Sequence, residues 1–127
     1  MQLQLKDSLP FVTVTVGYKG EAVQIQNVLV DTGSASTILA SDRVAQIGIE
    51  PSADDILYTI RGVGGIEVVY LREVDYLKAG EREVAGFEIE VGGMDYGFEI
   101  NGILGMDFLT AAGAIINLRE MRMDFGD

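Results

Sequence analysis

The sequence predicts an all-β domain with one or two short helices. Runs of β-branched and aromatic residues recur along the chain, as in residues 11–16, where apolar and polar side chains alternate. The sixteen glycines are a rich share for 127 residues and indicate many turns. Helical character is confined to two short segments, so strands dominate the pattern.

The elements are predicted as follows. Residues 11–16 and 22–30 are separated by a short turn-like segment and predict a hairpin. Further strands are predicted at 66–74 and 84–91, and two short strands near the C-terminus at 114–118 and 121–125. One helix is expected to be capped by Ser41-Asp42 and ended by Gly48, and a second to run over 106–112 and end at Gly113.

Composition excludes several classes of function. The length of 127 residues predicts one domain spanning residues 1–127. A net charge of −11 disfavours a nucleic-acid partner, since phosphates would be repelled. Because cysteine and histidine are both absent, thiol nucleophiles, Ser-His-Asp triads and Cys or His metal sites are excluded. We expect no cofactor, and acid–base chemistry is left to carboxylates, Lys and Tyr.

Location is also constrained by the pattern of apolar residues. No apolar run approaches the roughly 20 residues of a membrane span, so no membrane association is expected. The N-terminal segment lacks the basic and apolar regions of a signal peptide. We therefore expect a cytoplasmic protein.

The most informative segment is an apolar strand that ends in an ionisable residue. Residues 28–30 are apolar, and Asp31-Thr32-Gly33 and Ser34 follow directly. The Asp31 carboxylate would lie partly buried at the strand end, while Gly33 lets the chain turn and directs backbone N–H groups toward it. These residue types are also common in ordinary turns, so a turn that merely ends the strand is the alternative.

This segment resembles the active-site loop of the retropepsin-like aspartic proteases, in which an apolar strand precedes Asp-Thr-Gly and then Ala or Ser. Two further segments resemble that family. Ile60-Arg61-Gly62-Val63-Gly64-Gly65-Ile66 is similar to its glycine-rich flap tip, and Ile103-Leu104-Gly105 is similar to its hydrophobic-hydrophobic-Gly motif before a helix. Each alone is also explained by a glycine-rich hairpin or by core packing. Because the three occur together in the family's order, the chain is identified as a member.

The resemblance implies a closed β-barrel or sandwich and an endopeptidase acting on polypeptides. The chain holds one Asp-Thr-Gly, so the family's paired carboxylates would come from a homodimer. The resemblance also implies catalytic roles for Asp31, Thr32 and Gly33, with the Thr32 hydroxyl linking the two active-site loops. The implied substrate-binding residues are Ser34, Ile38, Ile60, Gly62, Val63, Gly64, Ile103 and Leu104.

The sequence departs from the retroviral members in one pair of positions. Those members place Arg directly after the hydrophobic-hydrophobic-Gly motif and pair it with an Asp two residues beyond Asp-Thr-Gly. At these positions this chain has Met106 and Ala35, respectively. Both partners are absent together, which is typical of the cellular and bacterial branch. The terminal segments 1–5 and 121–125 either pair across the dimer or form plain edge strands.

Three functions remain open on the sequence alone. The first is an active homodimeric endopeptidase, which the intact Asp31-Thr32-Gly33 favours. The second is a dimerisation or peptide-binding module that keeps the fold with weak or no catalysis. The third is a self-processing domain of a longer precursor, against which the initial Met argues. The natural substrate and cleavage preference are not encoded in any motif.

Overall fold

Strands make up most of the structure. The computed structural model describes residues 1–62, 65–94 and 99–126, and for residues 61, 62, 65 and 66 it describes the backbone alone. Its strands are β1 (Gln4–Lys6), β2 (Leu9–Tyr18), β3 (Glu21–Val30), β4 (Ile38–Ala40), β5 (Tyr58–Gly62), β6 (Gly65–Ala79), β7 (Arg82–Gly92), β8 (Gly102–Leu104), β9 (Ala114–Asn117) and β10 (Arg122–Phe125). Its helices are α1 (Ser41–Val44), which continues into a 3-10 turn, and α2 (Met106–Ala112). The all-β fold with short helices is confirmed.

The larger sheet closes on itself. Its strand order is β1-β2-β3-β8-β4-β7-β6-β5, and β2 also pairs with β6, so six strands form a ring. The predicted β2–β3 hairpin is present, with Tyr18 opposite Glu21 and a two-residue turn at Lys19 and Gly20. Both turn residues have positive φ, which suits the right-handed twist of the flanking strands.

The two helices end as expected, but the first begins differently. Gly48 and Gly113 both adopt the left-handed conformation that ends a helix at low steric cost. The expected cap at Ser41-Asp42 is wrong. Ala40 occupies the N-cap position, no side chain caps the helix, and Ser41 is its first residue. The helix leaves directly from the buried strand β4, so its position is set by packing rather than by a capping side chain.

The two chain termini pair with each other within one chain. The backbone N–H of Leu3 donates to the Met121 carbonyl at 2.7 Å, and the N–H of Met123 donates to the Met1 carbonyl at 2.9 Å. The N-terminal segment therefore lies along β10, which pairs on its other side with β9. The edges that these two terminal segments share are therefore occupied by pairing within one chain.

Buried apolar side chains form two clusters. The main core lies inside the ring of strands and includes Val28 and Leu104, both with 0% exposure, and α2 covers it with Phe108. The second cluster consists of the buried residues Phe11, Ile38, Ala40, Val69, Met94 and Ile100, with Leu29, Ile60 and Ile103 at its margin. No helix in the described part of the chain is long and apolar enough to cross a membrane.

One arrangement of strands positions the site. β3 and β8 lie side by side and parallel, with Val30 opposite Leu104, so both strands end at the same edge. β4 then returns beside β8 in the opposite direction. The loop of residues 31–37 joins β3 to β4 and therefore passes across the end of β8. Asp31 lies at the start of this loop and α2 begins just beyond the end of β8.

Candidate active site

Asp31 is held at the end of β3 by its neighbours. Its backbone N–H donates to the Leu104 carbonyl at 3.0 Å, which continues the parallel pairing of β3 and β8 for one more residue. Its carboxylate oxygen Oδ1 accepts the backbone N–H of Gly33 at 2.9 Å. The residue is half-buried. Asp31 is thus fixed by backbone contacts on both sides, while part of its carboxylate faces solvent.

The loop after Asp31 lies against the start of α2. The backbone N–H of Met106 donates to the Ser34 carbonyl at 2.8 Å, and that of Asp107 donates to the Ala35 carbonyl at 3.2 Å. Ser34 also closes the loop on itself, since its hydroxyl donates to the Ser36 carbonyl at 2.8 Å. Met106 and Ala35 occupy the positions of the retroviral Arg–Asp pair, and here each forms a backbone hydrogen bond to a neighbour of the other, Met106 to Ser34 and Ala35 to Asp107.

Gly105 is required where the loop and α2 meet. A Cβ atom at this position would lie 2.2 Å from the Ser36 carbonyl oxygen and 2.9 Å from that of Ser34, far inside van der Waals contact. The glycine of the Ile103-Leu104-Gly105 motif therefore lets the loop of residues 31–37 cross directly over the end of β8.

Thr37 and Asp107 complete the junction. Thr37 is fully buried, and its hydroxyl donates to Asp107 Oδ1 at 2.7 Å and accepts the N–H of Gly105 at 3.0 Å. The other carboxylate oxygen, Oδ2, accepts the Thr37 N–H at 3.2 Å. Sequence reasoning missed both residues as part of the site. A signal was present, because an acid in the first turn of a helix readily accepts backbone N–H groups, as Asp107 does from Phe108.

The proposed substrate-binding residues fall into two groups. Ile38, Ile60 and Ile103 meet in the second apolar cluster, and Ile38 directly follows the loop of residues 31–37. Leu104 lies apart from them, fully buried in the main core, where it packs rather than faces a cleft. Ser34 is half-buried and faces its own loop, while Thr32 and Gly33 are exposed.

The flap residues are described only in part. β5 and β6 form an antiparallel hairpin, with Ile60 opposite Glu67 and Gly62 opposite Gly65. Gly62 lies at the end of β5, and Val63 and Gly64 lie outside the described residues. The hairpin brings Ile60 to the cluster that contains Ile38.

A glutamate holds the segment that follows β7. Glu67 Oε1 accepts the backbone N–H groups of Gly93, at 2.5 Å, and of Met94, at 3.1 Å. Met94 is buried in the second cluster with Ile38. In the described part of the chain, no group of three or more carboxylates is placed to hold a metal ion.

The site therefore consists of an Asp-Thr-Gly loop crossing a parallel strand pair, a glycine that permits the crossing, and a helix fastened to the loop. A family model described as aspartyl protease matches residues 12–108, about three quarters of the chain. The matched part contains the loop, the strand pair and the glycine, and it ends within α2. The chain belongs to the aspartyl protease family. The identification made from Asp31-Thr32-Gly33 is thereby confirmed. No curated protein gave a significant match to the sequence.

Proposed function

We propose that the chain is an aspartic endopeptidase that works as a homodimer, with Asp31 contributed by each copy. The observation that carries the proposal is the position of Asp31, half-buried at the end of β3 on a loop fastened to β8 and α2. Membership of the aspartyl protease family supports a polypeptide substrate.

The chemistry requires two carboxylates that share one proton. Two Asp side chains about 3 Å apart cannot both ionise, so one acts as a base and the other as an acid. The ionised carboxylate takes a proton from a water molecule while the water oxygen attacks the peptide carbonyl carbon, and the protonated carboxyl donates its proton to the carbonyl oxygen. The carboxyl that gained the water proton then protonates the leaving amine nitrogen as the C–N bond breaks. The other carboxylate takes a proton back from a hydroxyl of the intermediate, so the pair again holds one proton. Since the chain contains one Asp-Thr-Gly, a second copy supplies the second carboxylate.

The surroundings of Asp31 suit this chemistry. The carboxylate is oriented by the Gly33 N–H, and none of the salt bridges among the described residues involves it, so its charge is available to a second Asp31 in a dimer. The nearby isoleucines at positions 38, 60 and 103 offer apolar surface for substrate side chains. The hairpin of β5 and β6 would cover a bound peptide.

A comparison of three proteins tests the proposal. The wild type, Asp31→Asn and the matched control Asp54→Asn are incubated with a mixed peptide library at several pH values, and new peptide ends are identified by mass spectrometry. Asp54 is an exposed turn residue, so its variant loses one charge elsewhere on the surface. We expect cleavage by the wild type and by Asp54→Asn, and none by Asp31→Asn. Equal cleavage by Asp31→Asn would place the chemistry elsewhere.

The alternative is a module that binds peptides, or pairs with itself, without turnover. The same library separates the two functions. A binding module retains peptides unchanged, and Asp31→Asn would retain them equally well. An endopeptidase converts them, and Asp31→Asn would bind them without conversion.

A further inference from the structure

Glu90 lies on the same face of the sheet as two of the isoleucines that offer surface to a substrate. The strand pairing places Ile103 opposite Ile38, and Ile38 opposite Glu90. Because residues that lie opposite each other on paired strands point to the same face of a sheet, the three side chains form a row. The neighbours of Glu90 in β7, Ile89 and Val91, belong to the main core on the other face. Glu90 therefore stands beside Ile38 at the margin of the second apolar cluster.

The Glu90 side chain also contacts the loop that begins at Asp31. Its Oε1 atom accepts a hydrogen bond from the Ser36 hydroxyl, and its backbone N–H donates to the Thr37 carbonyl at 2.9 Å. Ser36 is the one residue in the described part of the chain that hydrogen-bonds to the Glu90 carboxylate. The second carboxylate oxygen, Oε2, is thus available to a further partner next to the proposed substrate surface.

This carboxylate is half-buried and has no cation beside it. None of the salt bridges among the described residues involves Glu90. A negative charge next to apolar side chains is costly unless a positive group pairs with it. A second carboxylate lies close to Ile38, because a Cβ atom on Gly92 would lie 3.0 Å from both Ile38 Cδ1 and Glu67 Oε1. That oxygen of Glu67 already accepts two backbone N–H groups, so Glu90 retains more capacity for a ligand.

We propose that Glu90 determines specificity by selecting a lysine or arginine side chain in the polypeptide substrate. The inference rests on the proposed function and names the class of substrate that the site takes. The aliphatic stem of a basic side chain packs against Ile38, and its charged end pairs with the Glu90 carboxylate. An apolar surface that ends in a carboxylate matches these two parts of the side chain.

The charge of the whole chain favours the same substrate. The chain has 20 acidic and 9 basic residues, which gives the net charge of −11. A field of this sign raises the association rate of basic peptides and repels acidic ones. Glu90 adds discrimination at short range, where a hydrogen-bonded charge pair distinguishes one side chain from another. The two effects are separable, because replacing one glutamate leaves most of the net charge in place.

Peptides that differ at a single position test this role. In one apolar sequence, lysine, norleucine or glutamate is placed at each position in turn, since norleucine keeps an unbranched aliphatic stem but lacks the charge. Binding to the Asp31→Asn protein is measured by fluorescence anisotropy at pH 7, with and without Glu90→Gln or Glu90→Lys. Glutamine still offers an oxygen to the Ser36 hydroxyl. Glu83→Gln is the matched control, because Glu83 is exposed on the same strand and lies opposite Lys78, away from the second cluster.

The readout is the ratio of affinities for two peptides, which a general loss of structure would not move. At one position or more, lysine is expected to bind about tenfold more tightly than norleucine. Glu90→Gln should bring this ratio close to one, Glu90→Lys should favour the glutamate peptide, and Glu83→Gln should leave the ratio unchanged. With Asp31 intact, kcat/KM for the same peptides should follow the same order.

The outcomes separate this inference from the proposed function. A preference for lysine that depends on Glu90, in a protein that never cleaves peptides, would support the inference and refute the endopeptidase. Cleavage without a preference for lysine, or with a preference that survives Glu90→Gln, would overturn the role of Glu90 and leave the endopeptidase standing. A protein that neither binds nor cleaves any of the peptides would refute both.

Discussion

The Asp107 carboxylate accepts two hydrogen bonds from Thr37, one from its hydroxyl at 2.7 Å and one from its backbone N–H at 3.2 Å. Through the same hydroxyl, Thr37 also accepts the N–H of Gly105. Three segments are therefore joined at one buried point: the end of the loop of residues 31–37, the end of β8 and the first turn of α2. This junction fixes the path of the loop that begins at Asp31.

Replacement of Thr37 by valine is predicted to destabilise the fold. Valine keeps the shape of the side chain but removes the hydroxyl, which leaves the Gly105 N–H and one Asp107 oxygen without that partner in a buried place. Such losses cost about 1–3 kcal/mol. Urea denaturation should show this decrease in the free energy of unfolding for Thr37→Val and a smaller one for Thr37→Ser, which retains the hydroxyl.

The same variant reports on the position of Asp31. If the junction orients the loop, Thr37→Val should lower kcat more than it alters KM, and Thr37→Ser should recover most of kcat. Unchanged unfolding and unchanged kcat in Thr37→Val would show that the junction has no such role.

Gly105→Ala is predicted to destabilise the fold, although it adds only one methyl group. The added methyl would lie 2.2 Å from the Ser36 carbonyl oxygen, which is backbone and cannot turn away. Overpacking of this kind costs about 1–3 kcal/mol or more. Gly126→Ala is the control, because its nearest neighbours are 3.7 Å away, an ordinary contact. Equal melting temperatures for the two variants would contradict this steric argument.

Much of the fold was predictable, because the long strands and helix ends carry local signals. The alternation in β2 and the glycine at the end of α2 led to correct elements. β4 was not predicted as a strand, since its three residues are all buried and show no alternation. The pairing of Leu3 with Met121 joins opposite ends of the chain, and no local pattern encodes such a contact.

The site was predictable only where residue types have a known chemistry. Asp31 was found because an acid at the end of an apolar strand is unusual. Thr37 and Asp107 were missed because their importance arises from a contact between positions 70 residues apart. Leu104 belongs to the same motif as Ile103, yet strand alternation directs Leu104 into the main core and Ile103 toward the second cluster.

Acid is predicted to weaken the link between β6 and the segment before β5. Asp55 accepts the backbone N–H of Ser52 at 2.7 Å and pairs with Arg72 at 2.7 Å. The Ser52 hydrogen bond, together with Arg72, lowers the pKa of Asp55 below its ordinary value. A lowered pKa means that this stabilisation is fully present above the unfolded-state pKa of about 3.9 and is lost as the pH falls through the folded-state value.

Melting temperatures measured against pH check this expectation. Asp55→Asn should melt below the wild type at pH 7, and the difference should begin to shrink below about pH 4. It should disappear as the pH falls through the lowered folded-state pKa, where the wild-type carboxylate is protonated as well. Asp54→Asn, which alters the neighbouring exposed carboxylate, should follow the wild type throughout. A difference that persists undiminished at pH 2 would assign the effect to something other than the Asp55 charge.

The activity of the proposed dimer is predicted to depend on pH and salt through two separable effects. The working dyad carries one proton on two carboxylates, so the rate should follow a bell-shaped profile with its optimum at about pH 4–6. Association of two chains that each carry −11 is opposed by repulsion at neutral pH, and the repulsion declines as surface carboxylates are protonated. Salt at pH 7 screens the repulsion but leaves the dyad's proton unchanged.

The measurement is the rate per chain against pH, at low and high salt and at several protein concentrations. At pH 7, salt should raise the rate in dilute protein and have little effect once the protein is concentrated enough to be dimeric. A flat profile between pH 4 and 9 would contradict a shared proton between two Asp31 side chains. A bell-shaped profile without any effect of salt or dilution would retain the dyad and refute the role of charge in assembling it.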